Sequence, residues 1–354
     1  MPQLPALALL IGFIFAYTAL INIAYKQKRI FSKKQQLPEN TDYQPFVSVV
    51  VPCHCEANVI GDTIKNLINI DYPHYELLII DDRSTDDTAI VLKKYEDIYN
   101  GKMRAIIRAK DALAGKSAVL NEVFDLTQGE VICVFDADAR VKPDFLTKIL
   151  PYLAPKDVGA VQARKIISNR DYNFLTRCQD NEMALDSHFQ CGRDSIKGAV
   201  ELRGNGQLIK KESILIVDKW NNDTITDDLD LSTKLHLKGW DVRFCLDVEV
   251  YEEGVLTFPA LIKQRSEVMR ELLKRKNVQL HDFQSDVKYV ENHDYFCDVQ
   301  HFSNIAAKEI LKDILSCRRK ITTEAEIAAN EKELRSVLAK NMPEYKKKYE
   351  KGQR

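Results

Sequence analysis

Two pairs of aspartates stand where short apolar runs end: Asp81 and Asp82 after ELLII, and Asp136 and Asp138 after EVICVF. If both runs are strands of one sheet, the four carboxylates meet on a single rim. Burying like charges together is costly unless a cation or hydrogen-bond donors compensate, so the cluster implies a bound metal ion or the hydroxyls and imide of a sugar nucleotide. In Asp136-Ala137-Asp138 the period-two alternation of an extended chain sends both carboxylates the same way. Hard oxygen donors of this kind suit Mg²⁺ or Mn²⁺, which in turn hold a diphosphate. Alone the pair is a weak signal, because acids after a strand also start ordinary turns. Two look-alikes fail. Gly115-Lys116-Ser117 resembles the end of a P-loop, but Lys110 stands where the earlier glycine is required. After the first strand PCHCE replaces the GxGxxG of a dinucleotide site.

The elements that must position these acids are legible as an alternation. Phe46 to Val51, Glu76 to Ile80, Arg104 to Arg108, Glu130 to Phe135 and Val158 to Ala163 read as strands, apolar on both faces as strands covered by helices require. Between them Val59 to Ile70, Asp86 to Tyr95, Lys116 to Leu126 and Asp144 to Leu153 have helical spacing, the second expected to be capped by Ser84 with Asp87 three residues on. Right-handed crossovers then give an α/β fold with an open, mostly parallel twisted sheet flanked by helices, whose ligands bind beyond the carboxyl ends of its strands. Phe174, Cys178, Leu185 and Phe189 also recur at helical spacing, which fits core packing.

Composition excludes several classes of function. The chain has 354 residues, Lys+Arg 51 against Asp+Glu 52, and 45% hydrophobic residues. That is enough for a large core, and Gly 13 with Pro 11 rules out collagen-like or linker-dominated sequence. A net charge of −1 leaves no strongly basic face for nucleic acid, so no nucleic-acid partner is expected. The eight cysteines are scattered, and without a CxxC pair a tetrahedral zinc site is not expected.

Leu4 to Tyr25 carries no charged side chain over 22 residues, about 33 Å of helix against a hydrocarbon layer of about 30 Å. Lys26, Lys28, Arg29, Lys33 and Lys34 follow it and nothing basic precedes it, the reverse of a signal peptide. The expectation is one N-terminal transmembrane helix at 4–25, a basic and polar connector at 26–45, and a catalytic domain at 46–268 on the cytoplasmic side of the membrane. Residues 269–354 read as a charged, helical C-terminal tail, clearest over Glu324 to Ala339.

Taken in order, VSVVVPCHCEA, IDDRSTDDT, GKSAVLN, FDADA, GNGQLIKK, TDDLDLS and KQR resemble the motifs of glycosyltransferase family 2, in particular its membrane-associated β-glycan synthases, poly-N-acetylglucosamine synthases and bacterial diacylglycerol β-glucosyltransferases. The similarity runs from Phe46 to about Arg265. The resemblance implies a GT-A fold, a nucleotide-sugar donor such as a UDP-sugar, a divalent metal, and inversion at the anomeric carbon. Position by position it implies Pro52 and Glu56 beside the nucleotide base, Asp82 reading uracil, Lys116 near nucleotide and phosphates, Asp136 at the ribose and Asp138 on Mg²⁺ or Mn²⁺. Asp228, in the place of the TED motif, is the implied general base, with Asp227 and Asp230 raising its proton affinity. Thr226 and these acids would also simply open a helix over Leu229 to Leu237. Gln162 and Arg164 resemble the family's Q-x-R stretch, implied with Asp227 to lie on the acceptor side, and in Gly204-Asn205-Gly206 the glycines would let the backbone approach the acceptor.

Cys55 replaces the usual Asn of the opening loop. Gln264 and Arg265 begin the QRxRW motif beside the donor, but Glu267 and Val268 replace its later Arg and Trp. No later apolar run follows, so processive export is not expected. The leading expectation is a membrane-anchored, metal-dependent inverting transferase moving glucose or N-acetylglucosamine from a UDP-sugar to a lipid or glycan hydroxyl. The alternative, motivated by the altered QRxRW, is a catalytically impaired GT-A scaffold that binds nucleotide sugar or a partner. A nucleotidyltransferase fits the fold but not TDD, KQR or the anchor.

Overall fold

The computed structural model describes residues 18–22, 43–224 and 226–273, with short pieces at 280–281, 320–321, 323, 325–329, 332 and 336. Of the expected membrane span and connector it describes only 18–22, which are helical, and 43–45. Among the described residues no helix is long and apolar enough to cross a membrane. Most of the expected tail likewise lies outside them; of Glu324 to Ala339, 325–329 are helical.

Alternating strands and helices run β1 (Val47–Cys53), α1 (Ile60–Leu67), β2 (Tyr75–Asp81), α2 (Thr88–Ile98), β3 (Met103–Ile107), α3 (Lys116–Phe124), β4 (Val131–Val134). Then come β5 (Arg140–Val141), α4 (Phe145–Ile149), β6 (Val158–Ile167), α5 (Phe174–Ser195), β7 (Gln207–Lys210), α6 (Lys211–Ile216), α7 (Asp227–Leu237), β8 (Asp241–Glu252) and α8 (Phe258–Leu273). One eight-stranded sheet has the order β3-β2-β1-β4-β7-β6-β8-β5. β3, β2, β1 and β4 are parallel, as are β6 and β8, while β7 runs antiparallel to both its neighbours.

The five expected strands and four expected helices are present with shifted ends. β5, β7 and β8 were not anticipated, and β5 and β7 are the antiparallel members of a sheet that is mostly parallel, as expected. Strand order reverses between β1 and β4, which opens a crevice at their carboxyl ends.

Both faces of the sheet are buried, which is why its strands read as continuous apolar runs. Val47, Val49, Val51, Leu77 and Ile79 share one core with Ile60, Ile64 and Leu67 of α1 and Phe145 of α4. Val50, Leu78 and Ile80 share the other with Val119, Leu120 and Val123 of α3 and Leu231 and Leu235 of α7. The expected cap of α2 is corrected. Asp87 stands at its N-cap with no side-chain cap bond, and the Ser84 hydroxyl instead accepts the Cys55 backbone N–H at 2.8 Å.

The chain divides into two compact units. The first comprises Met1–Arg170 with Cys178–Gly254 and contains the whole sheet; the second comprises Asp171–Arg177 with Val255–Arg354 and contains α8. In the second unit the Asn173 side chain donates to the Leu256 carbonyl at 2.8 Å.

Candidate active site

The loops after β1 and β2 are stitched together. Glu56 N–H donates to Thr88 Oγ1 at 2.8 Å, Ala57 N–H to Asp86 Oδ2 at 3.2 Å, and Asp82 N–H to the Cys53 carbonyl at 2.8 Å. Cys55 sits at φ +58°, a left-handed conformation that Asn tolerates better than most residues. An Asn fits that backbone, and Cys55 keeps it while losing the amide.

The four acids expected on one rim differ in their surroundings. Asp81, 2% exposed, accepts the Ser84 N–H at 3.3 Å. Asp82 is held by protein cations: its Oδ1 accepts from Arg83 Nε at 2.9 Å and from Arg108 at 2.5 Å, and its Oδ2 from Gly115 N–H at 3.3 Å. Burial pushes this carboxyl up, but Arg83, Gly115 and Arg108 outweigh it and hold it below the ordinary Asp value. Arg108 is itself buried and bonds Glu122 of α3 at 2.8 and 2.6 Å. Arg108 and Glu122 were not singled out in the sequence, since the end of RAIIR carries no signal beyond its strand pattern.

Lys116 opens α3 and reaches Asp136 Oδ1 at 2.5 Å and the Gly204 carbonyl at 3.4 Å. Burial pulls this amine down, yet Asp136, with lesser contributions from Asp227 and Asp228, raises it overall. Burial likewise pushes Asp136 up and Lys116 more than reverses it. A Cβ placed on Gly204 would lie 3.3 Å from Lys116 Nζ and 3.4 Å from Asp228 Oδ2. The amine and the TDD carboxylate therefore face one small space over Gly204.

Asp227 and Asp228 occupy the first turn of α7, where Thr226 makes no side-chain cap bond. Asp227 takes its place by accepting Asp228 N–H at 3.1 Å, and its other oxygen accepts the Ser117 hydroxyl at 3.3 Å. Asp228 accepts Leu229 N–H at 3.0 Å. Burial, then the Asp227 charge, raises Asp228 above the ordinary Asp value, against smaller opposition from Leu229 N–H and Lys116. Asp230, expected to act with Asp227, lies against Lys234 at 3.6 Å, and Asp227 is the leading charge that raises Asp228.

Asp138, like Asp81, has no protein cation against it among the described residues. Its Oδ2 accepts Glu253 N–H at 3.3 Å, and burial, then Asp136 and Glu253, raise its carboxyl. Glu56 is raised too, by burial and then by the charge of Asp138. No group of three or more acidic, His or Cys side chains that could hold a metal forms among the described residues. One uncompensated carboxylate still fits Mg²⁺ or Mn²⁺, whose small hard ions are held by one or two carboxylates together with substrate phosphates.

Other expected site residues have different work. Gln162 is fully buried, donates to the Ala163 and Asn205 carbonyls at 2.9 and 2.8 Å and accepts Arg203 N–H at 2.7 Å. It braces the 203–205 loop and has no group left for an acceptor. Arg164 faces Glu249 at 3.9 Å. Gly206, at φ +72°, is needed for packing, since a Cβ there would lie 2.7 Å from Val250. Asn205 is buried with its amide engaged on both sides, so neither residue offers itself to an acceptor. Pro52 lies in β1 beside Ile80. Gln264 and Arg265 lie on α8, in the second unit, with Gln264 exposed.

Residues 44–270 match the sequence model of the family described as "Glycosyltransferase like family 2". The chain belongs to this family. Over 224 residues this glycosyltransferase family 2 chain is 46% identical to the β-monoglucosyldiacylglycerol synthase of Nostoc sp., covering 63% of this chain and 48% of that protein. Over 244 residues it is 28% identical to a poly-β-1,6-N-acetyl-D-glucosamine synthase of Staphylococcus epidermidis, covering 68% and 57%. The chain spans about half the length of the curated relatives it matches. A solved mannosyltransferase of Pyrobaculum calidifontis, in complex with GDP-Man and Mn²⁺, superposes with a TM-score of 0.56 at 22% identity, covering 75% of this chain and 74% of that one. That likeness is one of fold, and the fold is GT-A.

Proposed function

We propose that this chain is a metal-dependent inverting glycosyltransferase that moves glucose or N-acetylglucosamine from a UDP-sugar to a lipid or glycan hydroxyl at a membrane surface. The observation that carries the reading is the meeting of Asp136, Lys116 and Asp228 around Gly204. An acid from the end of β4 and an acid from the start of α7 come to one amine at the crevice where strand order reverses. That is the arrangement a group transfer needs, with donor groups on one side and a proton acceptor on the other.

On the donor side the stitched loops around Pro52, Glu56 and Asp82 enclose the nucleotide base, and Asp136 takes the ribose. Asp138 would hold a divalent metal ion, which when bound would offset negative charge on the departing diphosphate. Lys116 adds a fixed positive charge near that diphosphate. Asp228 takes the proton of the acceptor hydroxyl as its oxygen bonds the anomeric carbon. The bond from that carbon to the diphosphate breaks on the opposite face, and UDP leaves with the electron pair. A raised Asp228 is a better base than an ordinary carboxylate, and it must be ionised to act.

The identity to a glucosyldiacylglycerol synthase supports diacylglycerol as the acceptor to try first. The test incubates the full chain in detergent with UDP-glucose or UDP-N-acetylglucosamine, Mn²⁺ and diacylglycerol, and reads the product linkage by NMR. A β-linked glycolipid from the α-linked donor is expected. An α-linked product contradicts inversion. Donor binding without transfer or hydrolysis favours the non-catalytic scaffold, in line with Glu267 and Val268.

A further inference from the structure

The turn that carries Asp136 and Asp138 is held from two strands that are not neighbours, and one side chain spans them. β4 and β8 are separated by β7 and β6 in the sheet, so no ladder hydrogen bond joins them. Asn205 is 0% exposed and lies between Gly204 and Gly206, at φ +78° and +72°. Its Oδ1 accepts the Asp136 backbone N–H at 3.2 Å, and its Nδ2 donates to Glu252 Oε2, at the end of β8, at 3.2 Å. Glu252 is anchored in turn by Lys165 at 2.9 Å. The next residue, Glu253, donates its backbone N–H to Asp138 Oδ2 at 3.3 Å. The circuit therefore runs from Asp136 through Asn205 and Glu252 to Glu253 and back to Asp138.

The chemistry demands an amide at this point. Asn presents an acceptor and a donor on one short planar group. An apolar side chain would leave the Asp136 N–H buried without a partner. A carboxylate would keep that bond but oppose the Glu252 carboxylate.

We infer that Asn205 is a positioning residue on the donor side: it locks the Asp136–Asp138 turn to the end of β8, so that Asp138 is aimed at a divalent cation carried by the nucleotide diphosphate. This rests on the proposed function and concerns the residue behind the metal carboxylate. Such supporting partners change metal affinity by about 10- to 100-fold when altered.

The test titrates Mn²⁺ into the full chain with and without UDP, following free Mn²⁺ by electron paramagnetic resonance and folding by Tm. Asn205→Asp is expected to weaken Mn²⁺ binding in the presence of UDP by about tenfold or more. Adding Glu252→Gln exchanges donor and acceptor across the same contact and restores binding to within about threefold of the unaltered protein, well inside the loss it reverses. A folded Asn205→Asp protein that binds within twofold of the unaltered one overturns the inference, and so does a folded double variant that recovers nothing. Should Asn205→Asp not fold, Glu252→Ala at the half-buried end of the contact decides: at least threefold weaker binding supports the inference and unchanged binding overturns it. Absence of Mn²⁺ binding in the unaltered protein with UDP counts against the proposed function instead.

Discussion

Lys116 Nζ lies 2.5 Å from Asp136 Oδ1, and the same amine faces Asp228 across Gly204. One cation thus serves an acid from each half of the site. Lys116→Met removes the cation bonded to Asp136, leaving it the weaker influence of Lys165, and removes one that favours the ionised form of Asp228. Activity is expected to fall about 100-fold, the scale of a lost preorganised charge.

The same relationship fixes a pH dependence. Asp228 stands above the ordinary Asp value because of burial and Asp227, and it must be deprotonated to act. The kcat/KM profile is therefore expected to rise with pH through a limb above the usual Asp range. Lys116 opposes that elevation, so in Lys116→Met the limb moves to higher pH. A limb that stays in place in the variant argues that the amine does not act on Asp228.

Gly204 is constrained by its backbone and by the two side chains that face it. Ala there adds a Cβ against both Lys116 and Asp228 and forces a side chain into φ +78°, at about 1–2 kcal/mol of stability. Gly204→Ala is expected to lower kcat by at least tenfold, while Tm falls by only a few degrees. A variant with unaltered kcat would show that the space over Gly204 is not where reaction occurs.

Much of this was legible in the sequence, and the boundary has physical causes. β1, β2 and β4 announce themselves because strands buried on both faces must be apolar throughout. β8 does not, because Arg243, Asp247 and Glu249 interrupt its apolar pattern. β7 is only four residues, follows the GNG turn and ends in lysine, so it carries little strand signal of its own. Asp136, Lys116 and Asp228 were singled out through motif order, and the structure brings them together around Gly204. Gln162 and Asn205 were found by the same means but assigned to the acceptor, because motif order identifies residues and says nothing of which way a buried amide points. Arg108 had no signal at all, since its importance comes from two partners, one 26 and one 14 residues away.

Arg108 gives a stability prediction. Arg108→Leu leaves Asp82 with Arg83 and Gly115 alone in a buried setting, and the loss is expected to be about 3 kcal/mol in urea unfolding. Asp82 is depressed in the folded state, so its contribution is present above the unfolded Asp pKa of about 3.9 and is lost as pH falls through the lower folded value. The unaltered protein should therefore lose stability below about pH 4 more steeply than Arg108→Leu. Parallel acid unfolding curves would contradict that assignment.

The central claim is that Asp228 takes the acceptor's proton. Transfer kinetics of Asp228→Asn beside the unaltered protein, with Mn²⁺·UDP affinity measured on the same samples, test it most directly. Loss of a general base is expected to lower kcat by about 100- to 10,000-fold while nucleotide affinity stays within twofold. Equal turnover in the two proteins would contradict the mechanism at its centre.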